Sequence, residues 1–94
     1  MERKLKIIAK KQYKRDYARA IKKGLNIEKI NSIIIKLSKR ETLESKYHDH
    51  QLSGKYIGCR ECHIEPDWLL IYSIDNTKLI LYLVRNGSHS DLFK

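Results

Sequence analysis

Histidines stand at positions 48, 50, 63 and 89 of this 94-residue chain, accompanied by Asp67 and Arg85. Histidine is the side chain best suited to exchange protons near neutral pH. Two histidines, a carboxylate and an arginine are enough for one demanding reaction, cleavage of an RNA phosphodiester by its own 2′-hydroxyl. A base takes the hydroxyl proton, an acid protonates the departing 5′-oxygen, and a cation steadies the charge that builds on the phosphoryl group. That scheme needs no metal and no cofactor. The same residue types occur in many chains that cut nothing, so composition alone leaves the matter open.

A rival motif overlaps this set. Cys59-Arg60-Glu61-Cys62-His63 fits the C-x-x-C-H pattern of covalent haem attachment. Its context argues against haem. The run reads as a strand, where positions three apart point to opposite faces and cannot reach one haem edge together. Zinc held by these thiols and nearby histidines is disfavoured as well, and both cysteines are expected to pack as free thiols in or on a sheet.

The charge is lopsided. Residues 1–40 hold 14 Lys or Arg against three acids, whereas residues 41–94 hold six against eight. The formal charge is +9 overall. Such a field favours a polyanion or an acidic partner over the alternative of a merely solvated, solubilising surface. The hydrophobic fraction of 41% with 33% charged residues indicates a globular chain, and its length suits a single domain spanning 1–94. No apolar run approaches the ~20 residues of a membrane span. The opening MERKLKIIAK lacks the apolar stretch and cleavage site of a secretory signal, so the expected location is the cytoplasm.

The elements that must position these residues follow from periodicity. Lys4 to Ala9 reads as a short strand with Leu5, Ile7 and Ala9 on one face. Tyr13, Tyr17, Ala20 and Ile21 then recur at helical spacing among basic residues, and Gly24 is placed to end that helix. Asn26 can cap a second helix whose stripe is Ile27, Ile30, Ile34 and Leu37, widened by Ile33 and Ile35. The connection is short, which predicts an antiparallel helix hairpin. Residues 41 to 55 read as a loop. Tyr56 to Glu65, Trp68 to Ile74 and Leu79 to Arg85 read as strands, with a turn at Asp75 and Asn76. The expected fold class is α+β: an N-terminal strand, a two-helix hairpin, then an antiparallel three-stranded meander with the helices on one face. Trp68 is expected in the core.

Three segments carry a resemblance to a known family. Tyr47-His48-Asp49-His50-Gln51-Leu52 followed by Gly54 is similar to the loop that opens the catalytic half of YafQ-type toxins, a branch of the RelE superfamily. His63-Ile64-Glu65-Pro66-Asp67-Trp68 resembles their H-x-E-P-D-W signature. Arg85-Asn86-Gly87-Ser88-His89 with Leu92-Phe93 resembles their closing R-x-G-[ST]-H…L-F motif. Any one alone would be weak; three in order at suitable spacing are specific. The resemblance covers about half the chain at motif level.

It implies a microbial-RNase-like RelE fold and ribosome-dependent cleavage of mRNA. It also implies neutralisation by an acidic, DinJ/RelB-like antitoxin, with operator DNA contacted only through that complex. By position, His50, His63, Asp67, His89 and Phe93 match the family's functional residues, and Arg85 its motif arginine. Arg85 would hold the phosphate, the histidines would move protons, Asp67 would act as a base or orient a histidine, and Phe93 would stack on a base or position substrate. No cofactor, metal or membrane is implied. Lys10, Lys14 and Lys22 on the basic helix would bind ribosomal phosphates. Two alternatives stand beside this reading: a ParE-like gyrase inhibitor of shared fold, and a non-catalytic RNA-binding or regulatory module.

Overall fold

The computed structural model describes residues 3–93. Its elements run β1 (Lys6–Ala9), α1 (Lys11–Lys22), α2 (Ile27–Ser38), β2 (His50–Gln51), β3 (Arg60–Glu65), β4 (Trp68–Asp75), β5 (Ile80–Gly87) and α3 (His89–Leu92), with single 3₁₀ turns at Ser45–Tyr47 and Gly54–Tyr56. The five strands form one sheet in the order β1-β5-β4-β3-β2. Strand β1 lies parallel to β5, with Lys6 opposite Ile80, and every other pairing is antiparallel. This is the expected α+β class, with β3 to β5 as the meander.

The local signals explain most boundaries. Gly24 takes φ +75°, a conformation glycine adopts without a Cβ penalty, just after α1. Asn26 caps α2 by accepting from the Glu28 N–H at 3.1 Å. Asp75 closes the β4–β5 turn, its Oδ1 accepting from the N–H groups of Thr77 and Lys78, both at 2.9 Å.

Two buried clusters flank the sheet. Ile30, Ile33, Ile34 and Leu37 of α2 and Tyr13 and Ala20 of α1 pack on Cys62, Leu70, Tyr72, Leu81 and Leu83. On the other face Tyr56 and Leu92 cover Leu69 and Ile71. Strand β4 is therefore buried on both faces, which is why Trp68 to Tyr72 reads as an unbroken apolar run. Trp68 is in the core as expected, its indole N–H donating to Asn86 Oδ1 at 3.1 Å.

Several expectations are corrected. Strand β1 starts at Lys6 rather than Lys4, and Ile7 is exposed although Leu5 is buried. Strand β1 sits at the sheet edge and pairs on one side only, so its alternation is incomplete. Ile21 and Ile35 lie on the solvent side of their helices, leaving narrower apolar stripes than their types suggest. The first meander strand begins at Arg60, not Tyr56, because the 3₁₀ turn and Gly58 at φ +88° interrupt it. The segment 41 to 55 contains two 3₁₀ turns and β2 within its loop.

Candidate active site

Strand alternation starts the site. Glu61 and His63 are two apart on β3 and share a face, opposite Ile71 and Leu69 of the second cluster. The register shifts between His63 and Glu65, a bulge that re-aims the strand where it enters the Pro66-Asp67 turn. Glu61 is nearly sequestered from solvent, at 4% exposure. Its Oε2 lies 3.0 Å from His50 Nε2 and 3.8 Å from His63 Nε2. Its other oxygen, Oε1, is buried with no hydrogen-bond partner among the described residues.

Strand β2 brings His50 opposite Glu61. Asp49 anchors the loop beforehand, its Oδ1 accepting from Arg60 Nε at 3.2 Å and from the Tyr72 hydroxyl at 2.7 Å. His48 takes the left-handed conformation at φ 49°, and its carbonyl accepts from His50 Nδ1 at 2.7 Å. Both ring nitrogens of His50 thus face oxygen acceptors, which fixes the plane of the ring.

The third histidine arrives from the C-terminus. Ser88 and Asp91 form a capping box: Ser88 Oγ accepts from the Asp91 N–H at 3.1 Å, and Asp91 Oδ2 from the Ser88 N–H at 3.2 Å. These bonds hold the Asp91 carboxyl below its ordinary range. A Cβ at Gly87 would meet Asp91 Cβ and Oδ2 at 3.2 Å, so glycine lets this turn fold back closely on β5. His89 then donates its backbone N–H to Asp67 Oδ1 at 2.9 Å, while its Nδ1 lies 2.7 Å from the same oxygen. Those two bonds lower the Asp67 carboxyl below its usual range.

The rings form a continuous row. His63 lies 5.4 Å from His48, 6.4 Å from His50 and 5.7 Å from His89 between centroids. Phe93 continues it, 6.4 Å from His89 and 5.6 Å from Tyr56. Partial burial lowers the His63 imidazole from its ordinary value; Glu61 opposes this, and His48, His89 and His50 reinforce it. A neutral imidazole is suited to accept a proton.

Arg85 approaches from β5. Its Nε and Nη2 donate to the two oxygens of Asp16 on α1, at 2.9 and 3.1 Å. Asp16 is fully covered and also accepts from the Asn86 N–H at 3.2 Å and Gln12 Nε2 at 3.2 Å. Strand β1 pairs with β5 only as far as Leu83, so Asp16 satisfies backbone beyond the ladder. The Asp16 carboxylate raises Arg85 above its ordinary range, and the Tyr56 hydroxyl acts in the same direction. The Tyr56 hydroxyl donates to the Leu92 carbonyl at 3.1 Å, and its ring meets Phe93 edge-on.

His50, His63, Asp67, His89 and Phe93 are thus brought together, whereas Arg85 is held by Asp16 of α1. Phe93 is 45% exposed, which makes its ring available rather than core. Lys10, Lys14 and Lys22 lie exposed on or beside α1, Lys10 Nζ standing 5.1 Å over the Tyr82 ring. Sequence reasoning missed Glu61, Asp16 and Tyr56 and gave His48 no role. The i, i+2 spacing of Glu61 and His63 on a strand was the available signal for the first. One ligand atom each from Glu61, His63 and His89 lies within 4.8 Å of the others, close enough to hold one metal ion.

The cysteines part company as strand geometry requires. Cys62 packs in the helix-side cluster and Cys59 against the other. Burial pushes the Cys62 thiol up to about 12. Folded protein at pH 8 should therefore show no rapid alkylation at Cys62, read by mass spectrometry. The double variant Cys59→Ser, Cys62→Ala should keep RNA cleavage within a few-fold, roughly under 1 kcal/mol of barrier. A larger loss would bring the thiols into the chemistry.

A helix pair packs on one face of a five-stranded sheet, with imidazoles and carboxylates gathered beside its C-terminal turn, and this fold is shared with solved toxins of the YafQ type. The profile described as "Bacterial toxin of type II toxin-antitoxin system, YafQ" matches residues 5–94. The mRNA interferase toxin YafQ of Escherichia coli (strain K12) is 35% identical over 83 residues, 87% of this chain and 88% of that protein. The toxin in the E. coli DinJ-YafQ toxin-antitoxin complex superposes with TM-score 0.88 at 33% identity, covering 97% of this chain and 99% of that one. A metal-bound toxin from Helicobacter pylori gives TM-score 0.89 at 38% identity, over 95% and 99% of the two chains. The chain belongs to the YafQ family of type II toxins.

Proposed function

We propose that this protein is an endoribonuclease toxin that cleaves mRNA on the ribosome without a metal and is held inactive by a cognate acidic antitoxin. The observation that carries the reading is the convergence of His50, His63 and His89 on two carboxylates, the buried Glu61 and the exposed Asp67. A base among the three histidines takes the 2′-hydroxyl proton as the 2′-oxygen bonds to phosphorus. The P–O5′ bond breaks, and a second histidine protonates the departing oxygen, leaving a 2′,3′-cyclic phosphate and a 5′-hydroxyl. Asp67 fixes the orientation of His89, and Glu61 that of His50. Arg85, held by Asp16 through Nε and Nη2, would supply positive charge to the phosphoryl oxygens, and Phe93 would offer a face to a base.

The test is cleavage of a translated message with and without ribosomes, read by primer extension. Discrete cuts that require ribosomes support the reading. An intact message with blocked gyrase supercoiling would instead support the ParE-like alternative, and neither effect the non-catalytic one. Co-expression with a cognate antitoxin should restore growth.

Glu61, His63 and His89 form a nitrogen–oxygen set that fits a zinc or copper ion. When bound, such an ion polarises a phosphoryl oxygen. It would also occupy imidazole nitrogens that proton transfer requires. Added Zn²⁺ or Cu²⁺ should therefore slow cleavage, and a transition-metal chelator at constant Mg²⁺ should leave it unchanged. Loss of cleavage on chelation would make the ion part of the machinery.

A further inference from the structure

A cavity of about 900 Å³ opens beside the histidine row, between α2 and the loop before β2. Three features of its lining are unlike a simple surface dent. Strand β2 pairs only with Arg60 and Glu61, so β3 from Cys62 to Glu65 has no strand partner on this side, where the 3₁₀ turn at Ser45–Tyr47 packs beside it. Ile33 and Ile64 supply apolar walls. Lys46 and His48 contribute cationic or protonatable groups beside the Lys29–Glu65 ion pair, and His50 and His63 join the lining to the proposed chemistry.

We propose that this cavity receives the nucleotide adjoining the cleaved phosphodiester and is where the protein discriminates among message sequences. The inference rests on the nuclease reading above. Apolar walls take a base face, an unpaired strand edge reads a base edge by hydrogen bonds, and the cations meet the flanking phosphate. The volume accommodates one nucleotide, within the usual range for small-ligand sites. An acidic peptide would also find cations here. Continuity with His50 and His63 favours RNA, because a chain that places its phosphate at those rings must place a neighbouring nucleotide beside them.

His48 tests the idea cleanly. Glycine tolerates φ 49°, so His48→Gly removes the ring while keeping the carbonyl that anchors His50. Ser32→Trp, at an exposed α2 position on the rim, narrows the cavity from the other wall. Ends of cleaved messages are sequenced after reaction of the full-length protein with translating ribosomes. Both variants should change the relative cutting among message positions by about ten-fold, the scale of one lost base contact, while cleavage as such persists. An unchanged ranking in His48→Gly and Ser32→Trp would overturn the proposal. So would an unchanged ranking accompanied by weakened antitoxin binding, which would assign the cavity to the antitoxin instead. If Ser32→Trp fails to fold, His48→Gly decides alone. Wild-type protein that leaves every message intact would sink the nuclease reading itself, a result distinct from wild-type cutting whose ranking the variants preserve.

Discussion

His89→Ala should lower message cleavage by about 10² to 10⁴ and abolish growth arrest while the protein still folds. The ring is exposed, and its main partner, Asp67, is exposed too, so removing it leaves no buried group stranded. Ser88 and Asp91 keep the capping box that builds the turn, and Leu92 keeps its place in the core. Ribosome pelleting and thermal melting should match wild type. Full toxicity in a strain that expresses soluble His89→Ala protein would remove His89 from the mechanism.

Arg85 calls for a different variant, because it both holds the fold and faces the site. Arg85→Ala would leave Asp16 buried without its cation, at a cost of about 3–5 kcal/mol. Arg85→Lys keeps the charge beside Asp16 but loses the planar fork. It should cut about 10²-fold more slowly with near-normal ribosome association, since the lost donors act on charge that develops in the transition state. Changing Lys10, Lys14 and Lys22 together to Gln should do the reverse. Each lost phosphate contact should flatten the salt dependence of ribosome binding by about one unit of slope. The cut positions should stay where they are, because such contacts do not read bases. Pelleting at several salt concentrations beside cleavage mapping measures both. A triple variant that binds normally, paired with Arg85→Lys that releases the ribosome, would put the two functions on the opposite surfaces.

Much of this was legible in the chain. The capped helix α2, the buried run of β4 and the Asp75 turn are local, and each is written in spacing and residue type. The imidazoles, Asp67 and Phe93 came through motifs, which record a site without its geometry. What stayed hidden depends on distant pairing. Asp16 lies in a helix crowded with lysine and arginine and reads as one more solvated charge; only β5, some seventy residues on, shows that it meets Arg85 and the Asn86 N–H. Glu61 seemed to belong to a cysteine motif, and its burial under His50 becomes visible once β2 pairs with β3. The parallel pairing of β1 with β5 joins the two ends of the chain, which no local period encodes.

The proposed nucleophile is the RNA's own 2′-hydroxyl. It is tested most directly by a message carrying a single 2′-deoxynucleotide immediately 5′ of a mapped cut, presented on ribosomes. Cleavage should vanish at that bond alone, and every remaining cut should leave a 2′,3′-cyclic phosphate or its hydrolysis product. Cleavage at the deoxy position at the ordinary rate would contradict it, since water or another group would then have to attack the phosphorus.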